Sequence, residues 1–259
     1  MNRSGSKLEQ QKFVVLGATG SVGSELSRGL ISAGHHVLLG GRDKNKLQEL
    51  GAELDSPFCN IDASELSSIE ECLQTAHTEY GRVDGVANCI GSVLLKPAHL
   101  TSDEEWQETL MTNLSSAFVT VRSASKVMRQ TGGAIVLVSS AAARIGFANH
   151  EAIAAAKAGV IGLTLSSAAT YANRGIRVNA VAPGLIKSNM TKKLWETPTA
   201  QSTSAAMHAL DRIGEPADVA SMIAWLLQPA NSWITGQVLG VDGGLATIAP
   251  RHKQKATHQ

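Results

Sequence analysis

This chain of 259 residues has few tyrosines, few cysteines and almost no net charge. The two tyrosines are Tyr80 and Tyr171, and the three cysteines are Cys59, Cys72 and Cys89. The cysteines form no CxxC pair and no metal-ligand spacing, so we expect no metal site and reduced, buried thiols in a cytoplasmic protein. The formal net charge is +1, which gives no general attraction to nucleic acid or to an anionic membrane.

Long apolar runs are absent as well. None approaches the ~20 residues of a membrane span, and residues 1–11 lack the apolar core of a secretory signal. The composition, 43% hydrophobic and 17% charged, suits one α/β domain, since such domains often run to ~250 residues without splitting. We therefore predict a single domain over residues 12–248, flexible tails at 1–11 and 249–259, and no membrane partner.

The first motif follows a short apolar run, Lys12 to Leu16, and precedes a segment with helical periodicity, Ser24 to Ala33. A glycine-rich turn between a strand and a helix indicates a dinucleotide site, because glycine lets the backbone approach a pyrophosphate and the helix start supplies N–H groups. An ordinary glycine-rich turn is the alternative. The residues predicted to contact a cofactor here are Gly17, Thr19, Gly20, Ser21, Val22 and Gly23.

The end of the second predicted strand, His36 to Leu39, bears on which dinucleotide is bound. An acidic residue there would accept a hydrogen bond from a ribose 2′-hydroxyl. Gly41 offers no such group and Arg42 follows it. A guanidinium suits a 2′-phosphate, so we predict NADP(H), with NAD(H) less favoured. The alternative for Arg42 is an ordinary surface charge.

Apolar strands and helical segments alternate along the rest of the chain. This pattern predicts an α/β fold of Rossmann type, a doubly wound parallel sheet of about seven strands with helices on both faces. Ligands in such folds bind at the carboxyl ends of the strands. The later strands are predicted at Phe58 to Ile61, Gly85 to Asn88, Ala134 to Ser139, Arg177 to Ala182 and Val238 to Val241.

Three residues are candidates for chemistry at the carboxyl ends of the strands. Ser140 follows the fifth strand, and Lys157 is the only lysine in an alanine-rich helix that begins near His150. A lysine on such a helix is costly to bury without partners, although a surface lysine gives the same pattern. Asn113 lies within a long helix capped by Ser102, where asparagine is a poor helix former, so a specific hydrogen bond is expected.

With these residues placed, the chain resembles the short-chain dehydrogenase/reductase family from about Lys12 to Leu245. The similar motifs are the turn NCIG, the helix asparagine, the serine pair, the segment RVNAVAPG, and the C-terminal signatures RIGEP, ITGQ and VDGG. They begin respectively at Asn88, Asn113, Ser139, Arg177, Arg212, Ile234 and Val241. The glycine spacing at 17, 20 and 23 is that of the family's extended and atypical members, while the rest is similar to its common single-domain type.

The resemblance implies roles for individual residues. Asn113, Ser140 and Lys157 are expected to be catalytic: Asn113 supports a water relay, Ser140 orients the substrate oxygen, and Lys157 also holds the nicotinamide ribose. Further cofactor contacts are expected at Asp62, Asn88, Ile90, Gly91, Pro183, Gly184, Ile186 and Ser188. The loop at about 185–207 is expected to be the substrate lid. By the same resemblance, the helix that carries Lys157 is expected to build a homodimer or homotetramer.

One departure concerns the chemistry itself. The family's motif is Tyr-x-x-x-Lys, yet Ile153 stands four residues before Lys157. His150, seven residues before Lys157, returns to within about 20° of the same helix face and is the candidate proton donor; an uninvolved polar residue is the alternative. Asn149 is a candidate helix cap.

Three functions remain open from the sequence. The first is an NADP(H)-dependent oxidoreductase of a small carbonyl or alcohol compound, with an altered acid. The second is a dinucleotide-binding sensor or scaffold that has lost turnover. The third is non-redox chemistry, dehydration or isomerisation, with His150 and Glu151 as the acid–base pair.

Overall fold

The computed structural model describes residues 10–249. The expected tails therefore lie almost wholly outside the described residues. At the N-terminal boundary, Gln11 is already buried, and its backbone N–H donates to His35 Nδ1 at 3.3 Å. The ordered domain thus begins at Gln11 at the latest, slightly before the predicted start.

Seven parallel strands form one sheet in the order β3-β2-β1-β4-β5-β6-β7. The order reverses between β1 and β4, which is where a doubly wound sheet opens a crevice for a ligand. The predicted strands are all present, most with ends shifted by a residue or two. They are β1 Lys12–Leu16, β2 His36–Gly41, β3 Phe58–Asn60, β4 Gly85–Asn88, β5 Gly133–Val138, β6 Ile176–Pro183 and β7 Val238–Val241.

Helices cover both faces of the sheet, each over its own apolar core. One core lies under α1, α2 and α8, and the other lies under α3, α5 and α6. Because both faces are covered, the strands are apolar throughout rather than alternating. The helices are α1 Ser21–Ser32, α2 Lys44–Leu54, α3 Leu66–Tyr80, α4 Asp103–Leu110, α5 Ser116–Val127, α6 Glu151–Tyr171, α7 Pro198–Ala206 and α8 Pro216–Leu227.

The long helix predicted to contain Asn113 is two α-helices joined by a π-helical turn, Met111–Ser115. It begins as expected, because Ser102 accepts from the N–H of Glu105 while the Glu105 side chain accepts from the N–H of Ser102. Asn113 lies in the π turn, and its amide donates to the carbonyl of Thr109 at 3.0 Å. The expected hydrogen bond is therefore present, and the wider turn leaves room for it.

Helix α6 is long and apolar enough to cross a membrane by length and composition, which the sequence analysis did not anticipate. It packs against β6, and α4 and α5 also pack against it. Its residues Val160 and Ala168 belong to the core beneath α3 and α5. These contacts account for its apolar composition as that of a core helix.

Candidate active site and cofactor site

The glycine turn brings the start of α1 against the end of β1. Gly17 has φ +79°, and a Cβ there would lie 2.8 Å from the backbone carbon of Cys89. A Cβ on Gly23 would lie 2.2 Å from the carbonyl oxygen of Gly17. Both positions therefore require glycine, and the turn lies close to the loop after β4. The N-cap, Gly20, offers no side chain to the first N–H groups of α1, which suits a phosphate ligand.

The loop after β2 exposes the Arg42 side chain. The nearest acidic side chain, Asp43, is already hydrogen-bonded to backbone N–H groups. Arg42 is exposed, whereas the Asp43 carboxylate accepts from the N–H groups of Asn45 and Lys46 at 3.1 and 3.2 Å. The N–H of Lys46 in particular lowers the pKa of Asp43. Asp43 is thus the cap of α2 rather than an acceptor for a ribose hydroxyl.

A residue that the sequence analysis passed over holds this loop in place. The side-chain amide of Asn60, at the end of β3, donates to the carbonyl oxygens of Gly41 and Arg42 at 3.2 and 2.7 Å. Thr19 lies on the other side, since a Cβ on Gly41 would meet its Oγ1 at 3.1 Å. The backbone that carries Arg42 is therefore fixed from β3, and its side chain remains exposed.

Asp62 follows β3 at the same edge. Its Oδ1 accepts from the backbone N–H and the hydroxyl of Ser64 at 2.9 and 2.7 Å. The N–H of Ser64, followed by its hydroxyl, lowers the pKa of Asp62. The carboxylate is consequently ionised at neutral pH and oriented by the turn that follows it.

The loop after β4 connects the predicted cofactor crevice with the predicted catalytic residues. Asn88 donates to Thr120 Oγ1 at 3.0 Å and accepts from the N–H of Ile90 at 2.9 Å, so this asparagine shapes the turn. A Cβ on Gly91 would lie 3.2 Å from Asn113 Oδ1 and 3.6 Å from Lys157 Nζ. Gly91 therefore lies where the two predicted catalytic side chains converge.

Asn113 is buried and fully engaged. Its Oδ1 accepts from the N–H of Ser92 at 3.1 Å, and its amide donates to Ser92 Oγ at 2.9 Å as well as to Thr109. Ser92 and Thr120 are supporting residues that the sequence analysis did not single out. Only the tertiary contact across the loop after β4 reveals them.

Lys157 is buried, with 6% of its surface exposed. Its Nζ donates to the carbonyl of Val138 at 2.9 Å, and its own carbonyl accepts from Ser139 Oγ at 2.8 Å. Burial lowers the pKa of Lys157 to about 8. The expectation that this lysine needs partners is met by backbone at the end of β5, and a surface lysine is excluded.

Ser140 begins the turn after β5. Its Oγ accepts from the N–H of Ala142 at 3.1 Å, which leaves the hydroxyl hydrogen for a substrate oxygen. Ile153 lies one helical turn before Lys157 and is 4% exposed. An alkyl side chain there adds apolar surface and no proton.

Neither tyrosine lies near Ile153. The Tyr80 ring lies 6.0 Å from that of His36 and 5.9 Å from Lys12 Nζ. Lys12 and His36 are the first residues of β1 and β2, so Tyr80 is at the opposite edge of the sheet. Tyr171 ends α6, about 21 Å along the helix axis from Lys157 at 1.5 Å per residue.

His150 is the N-cap of α6, and Asn149 precedes it with φ +63°. The expectation that Asn149 caps this helix was therefore wrong, because its left-handed backbone lies outside the helix start. The ring Nδ1 of His150 lies 2.7 Å from the carbonyl of Ala148, and the Phe147 ring is 5.4 Å away. A carbonyl only accepts, so Nδ1 carries a proton and Nε2 of the neutral ring is an acceptor. Nε2 can then give a proton only when the ring is charged.

The expected lid follows β6 and contains a short 3-10 turn and α7. Its base is fixed: Ile186 pairs with Gly214, and Thr191 Oγ1 donates to the carbonyl of Ile186 and meets Ser188 Oγ at 3.0 Å. Gly184 lies against the ring of buried His208, which accepts from the N–H of Leu185 at 3.2 Å. The predicted cofactor residues from Pro183, which ends β6, to Ser188 thus lie in one structured segment.

Comparison with known proteins covers nearly the whole chain. Residues 17–246 match the family described as enoyl-(acyl carrier protein) reductase. The 3-oxoacyl-(acyl-carrier-protein) reductase FabG of Thermotoga maritima is 34% identical over 247 residues, which span 92% of this chain and 99% of the relative. A short-chain type dehydrogenase/reductase from Mycobacterium ulcerans has a solved structure that superposes with a TM-score of 0.88 at 29% identity, over 92% of this chain and 91% of that one.

The chain belongs to the short-chain dehydrogenase/reductase family.

A further similar structure is that of ElxO, solved with NADP bound and, as a tyrosine-to-phenylalanine variant, with NADPH bound. Each superposes with a TM-score of 0.86 at 27% identity and covers 91% of this chain and 98% of its own. Within this short-chain dehydrogenase/reductase, the predicted residues lie along the carboxyl edge of the sheet. Asn113, Lys157 and Gly91 converge there. His150 lies at the start of α6, and its ring is hydrogen-bonded to the carbonyl of Ala148 in the preceding loop.

Proposed function

We propose that this short-chain dehydrogenase/reductase moves hydride between NADP(H) and a carbonyl or alcohol group of a small molecule, a ketone or an enone. The observation that carries the proposal is the convergence of Asn113 and Lys157 at Gly91, beside the strand end that supplies Ser140. When bound, NADP(H) supplies or accepts the hydride at its nicotinamide ring. Ile153 then stands where the family's proton donor stands.

The cofactor fits the residues that are present. The turn at Gly17 and Gly23 leaves no space for a Cβ, and the first turn of α1 lacks a side-chain cap. Arg42 is exposed beside a carboxylate that is already bonded, which favours a 2′-phosphate over a free ribose hydroxyl. ElxO has been solved with NADP bound and, as a tyrosine-to-phenylalanine variant, with NADPH bound, which supports NADP(H) as the cofactor.

Different residues of the chain then orient the substrate, hold the cofactor and supply the proton. The Ser140 hydroxyl orients the substrate oxygen with the hydrogen that Ala142 leaves available. Lys157 holds the nicotinamide ribose. Asn113 holds the loop at Ser92 in place beside Lys157. His150 supplies the proton from Nε2 in its charged form. A positioned acid contributes typically ~10²–10⁴ in rate, so turnover is expected to depend on His150.

The test is cofactor oxidation. NADPH should be consumed in the presence of members of a panel of ketones and enones, and deuterium from labelled NADPH should appear in the product. Tight NADPH binding without consumption across the panel contradicts the proposal. Product formed without label transfer would instead favour dehydration or isomerisation.

A second function, an NADP(H)-binding sensor or scaffold without turnover, is favoured by one observation. Ile153 is buried beside Lys157 and brings no exchangeable proton. Ile153→Tyr discriminates between the two, with Ile153→Phe as the matched control for ring volume. A reductase activity that appears only in the tyrosine variant supports the sensor, whereas activity in the parent supports the enzyme.

We also propose a homo-oligomer. Exposed small and apolar residues recur along one side of α6 at Ala155, Ala158, Gly162, Leu165 and Ala169. Leu165 is 52% exposed, and Phe118 on α5 is 50% exposed. Gly159 has a different role, because a Cβ there would meet Leu114 at 2.8 Å within the same chain. A monomeric mass by light scattering at micromolar concentration contradicts the oligomer.

The free thiols bear on the cellular compartment in which the protein resides. All three cysteines of the chain are unpaired, which suits a reducing compartment. We accordingly place the protein in the cytoplasm. A fractionation experiment that finds it in an oxidising compartment with its thiols paired contradicts this placement.

A further inference from the structure

Two cysteines that are unremarkable in the sequence lie side by side in the structure. Cys59 is the middle residue of β3, and its Cα pairs with that of Gly40 in β2. Paired residues of adjacent parallel strands point their side chains to the same face of the sheet. A Cβ on Gly40 would lie 3.4 Å from Cys72 Sγ. The Cys59 side chain therefore emerges directly beside the Cys72 thiol on α3.

The core on this face agrees with that placement. Cys72 is a buried member of the core, and Cys59 packs against the core as a partly buried residue. The glycine at position 40 keeps the space between them open, since no side chain intervenes from β2. The two thiols consequently share one site between the edge strand and α3.

The two thiols differ in accessibility and acidity. Cys59 is half-buried, and a hydrogen bond from Cys72, with a further one from Thr75, lowers its pKa. That same bond and burial raise the pKa of Cys72 well above its usual range. Exposure and thiolate character together determine which thiol attacks, so Cys59 is the attacking group and Cys72 the resolving one.

We propose that Cys59 and Cys72 form a reversible intramolecular disulfide in exchange with a low-molecular-weight disulfide such as oxidised glutathione. In the first step the Cys59 thiolate attacks one glutathione sulfur, and one glutathione leaves as its thiolate. In the second, Cys72 loses its proton and attacks Cys59 Sγ, and the second glutathione leaves. The two cysteines are oxidised by two electrons, and one glutathione disulfide is reduced to two thiols.

Closing the bond would pull β3 toward α3. An S–S bond is about 2.05 Å long, much shorter than any contact between two thiols. β3 is only three residues long and forms the edge of the sheet, so it is the element that can shift. Asn60 follows Cys59 directly and holds the carbonyls of Gly41 and Arg42. The disulfide thereby acts on the loop that carries Arg42.

Thiol mapping tests the site without reference to any activity. The full chain is incubated with oxidised glutathione, free thiols are blocked, and peptides are mapped before and after reduction. We expect a Cys59–Cys72 linkage that reductant reverses, with Cys89 still free because burial raises the pKa of its thiol to about 12. Cys59→Ser should abolish the linkage, Cys72→Ser should stop at a mixed disulfide on Cys59, and Cys89→Ser should behave like the parent. Three free thiols in the treated parent, or a linkage through Cys89, overturns the proposal.

A second measurement compares NADPH affinity with and without the disulfide, and it rests on the proposed NADP(H) site. Loss of one Asn60 hydrogen bond, worth ~1 kcal/mol, corresponds to about fivefold weaker NADPH binding in the oxidised parent. Treated Cys59→Ser should bind like its reduced form. A linkage that forms with unchanged affinity overturns the effect on Arg42. A reduced parent that does not bind NADPH contradicts the proposed function instead, and the mapping result stands by itself.

Discussion

The ammonium group of Lys157 donates to the carbonyl oxygen of Val138, the last residue of β5, at 2.9 Å. The side chain is buried, and among the described residues no carboxylate forms an ion pair with it. A charge in this position is held by one backbone dipole and is otherwise desolvated. Burial therefore lowers the pKa of Lys157 to about 8, which links the stability of the fold to pH.

The first prediction follows from that linkage. An unfolded lysine titrates near pH 10.4, so between about pH 8 and 10.4 the unfolded chain binds more protons than the folded chain. Stability should then rise with pH across this window, by roughly 3 kcal/mol from this group. Urea unfolding of the parent and of Lys157→Met between pH 7 and 10.5 measures the difference. A difference that does not change with pH would show that Lys157 is not a buried charge.

The second prediction concerns Arg42. Its replacement by alanine should remove a charge-assisted contact with the 2′-phosphate and weaken NADPH binding about tenfold. NADH, which lacks that phosphate, should bind nearly as before. Titration with both cofactors measures this, and Lys44→Ala on the next helix is the control for charge. Equal weakening of NADPH and NADH would rule out the contact.

The third prediction separates His150 from Lys157. His150→Ala should leave NADPH affinity unchanged and lower turnover by ~10²–10⁴, because only the proton source is removed. Glu151→Ala, at an exposed neighbour, should match the parent. Turnover of His150→Ala equal to that of the parent would leave solvent as the source of the proton.

The fourth prediction uses two glycines of α1. Gly23→Ala places a Cβ 2.2 Å from Gly17 oxygen and should destabilise the fold by ~1–3 kcal/mol. A Cβ on Gly29 would contact nothing within 4 Å, so Gly29→Ala should stabilise it by up to ~1 kcal/mol. Urea unfolding compares the two, and only Gly23→Ala should also weaken NADPH binding. The same sign for both would contradict the packed turn.

Much of the fold could be predicted because apolar strand and helix patterns are local. Gly17, Asn113 and Lys157 were found from motif spacing, and the structure brings them to one edge. The π turn was not predicted, since no local signal distinguishes it from an α-helix that contains an asparagine. Asn60 and the Cys59–Cys72 contact were also missed, because they depend on the pairing of β2 with β3. Likewise, the link between His150 and its own loop depends on the backbone of Asn149.

The π turn at Met111–Ser115 has a consequence for how this stretch is aligned and mutated. Helix α4 packs against α6, whereas α5 packs mainly against α3 and also contacts α6. The one extra residue in the turn rotates everything after it by about 100° relative to a continuous α-helix. Deleting a single residue there, such as Thr112, would give a continuous α-helix in which Ala117 and Ala124 still face α3, because the wider turn already absorbs the extra residue. One helical wheel drawn through both segments would therefore assign the wrong faces to one of them.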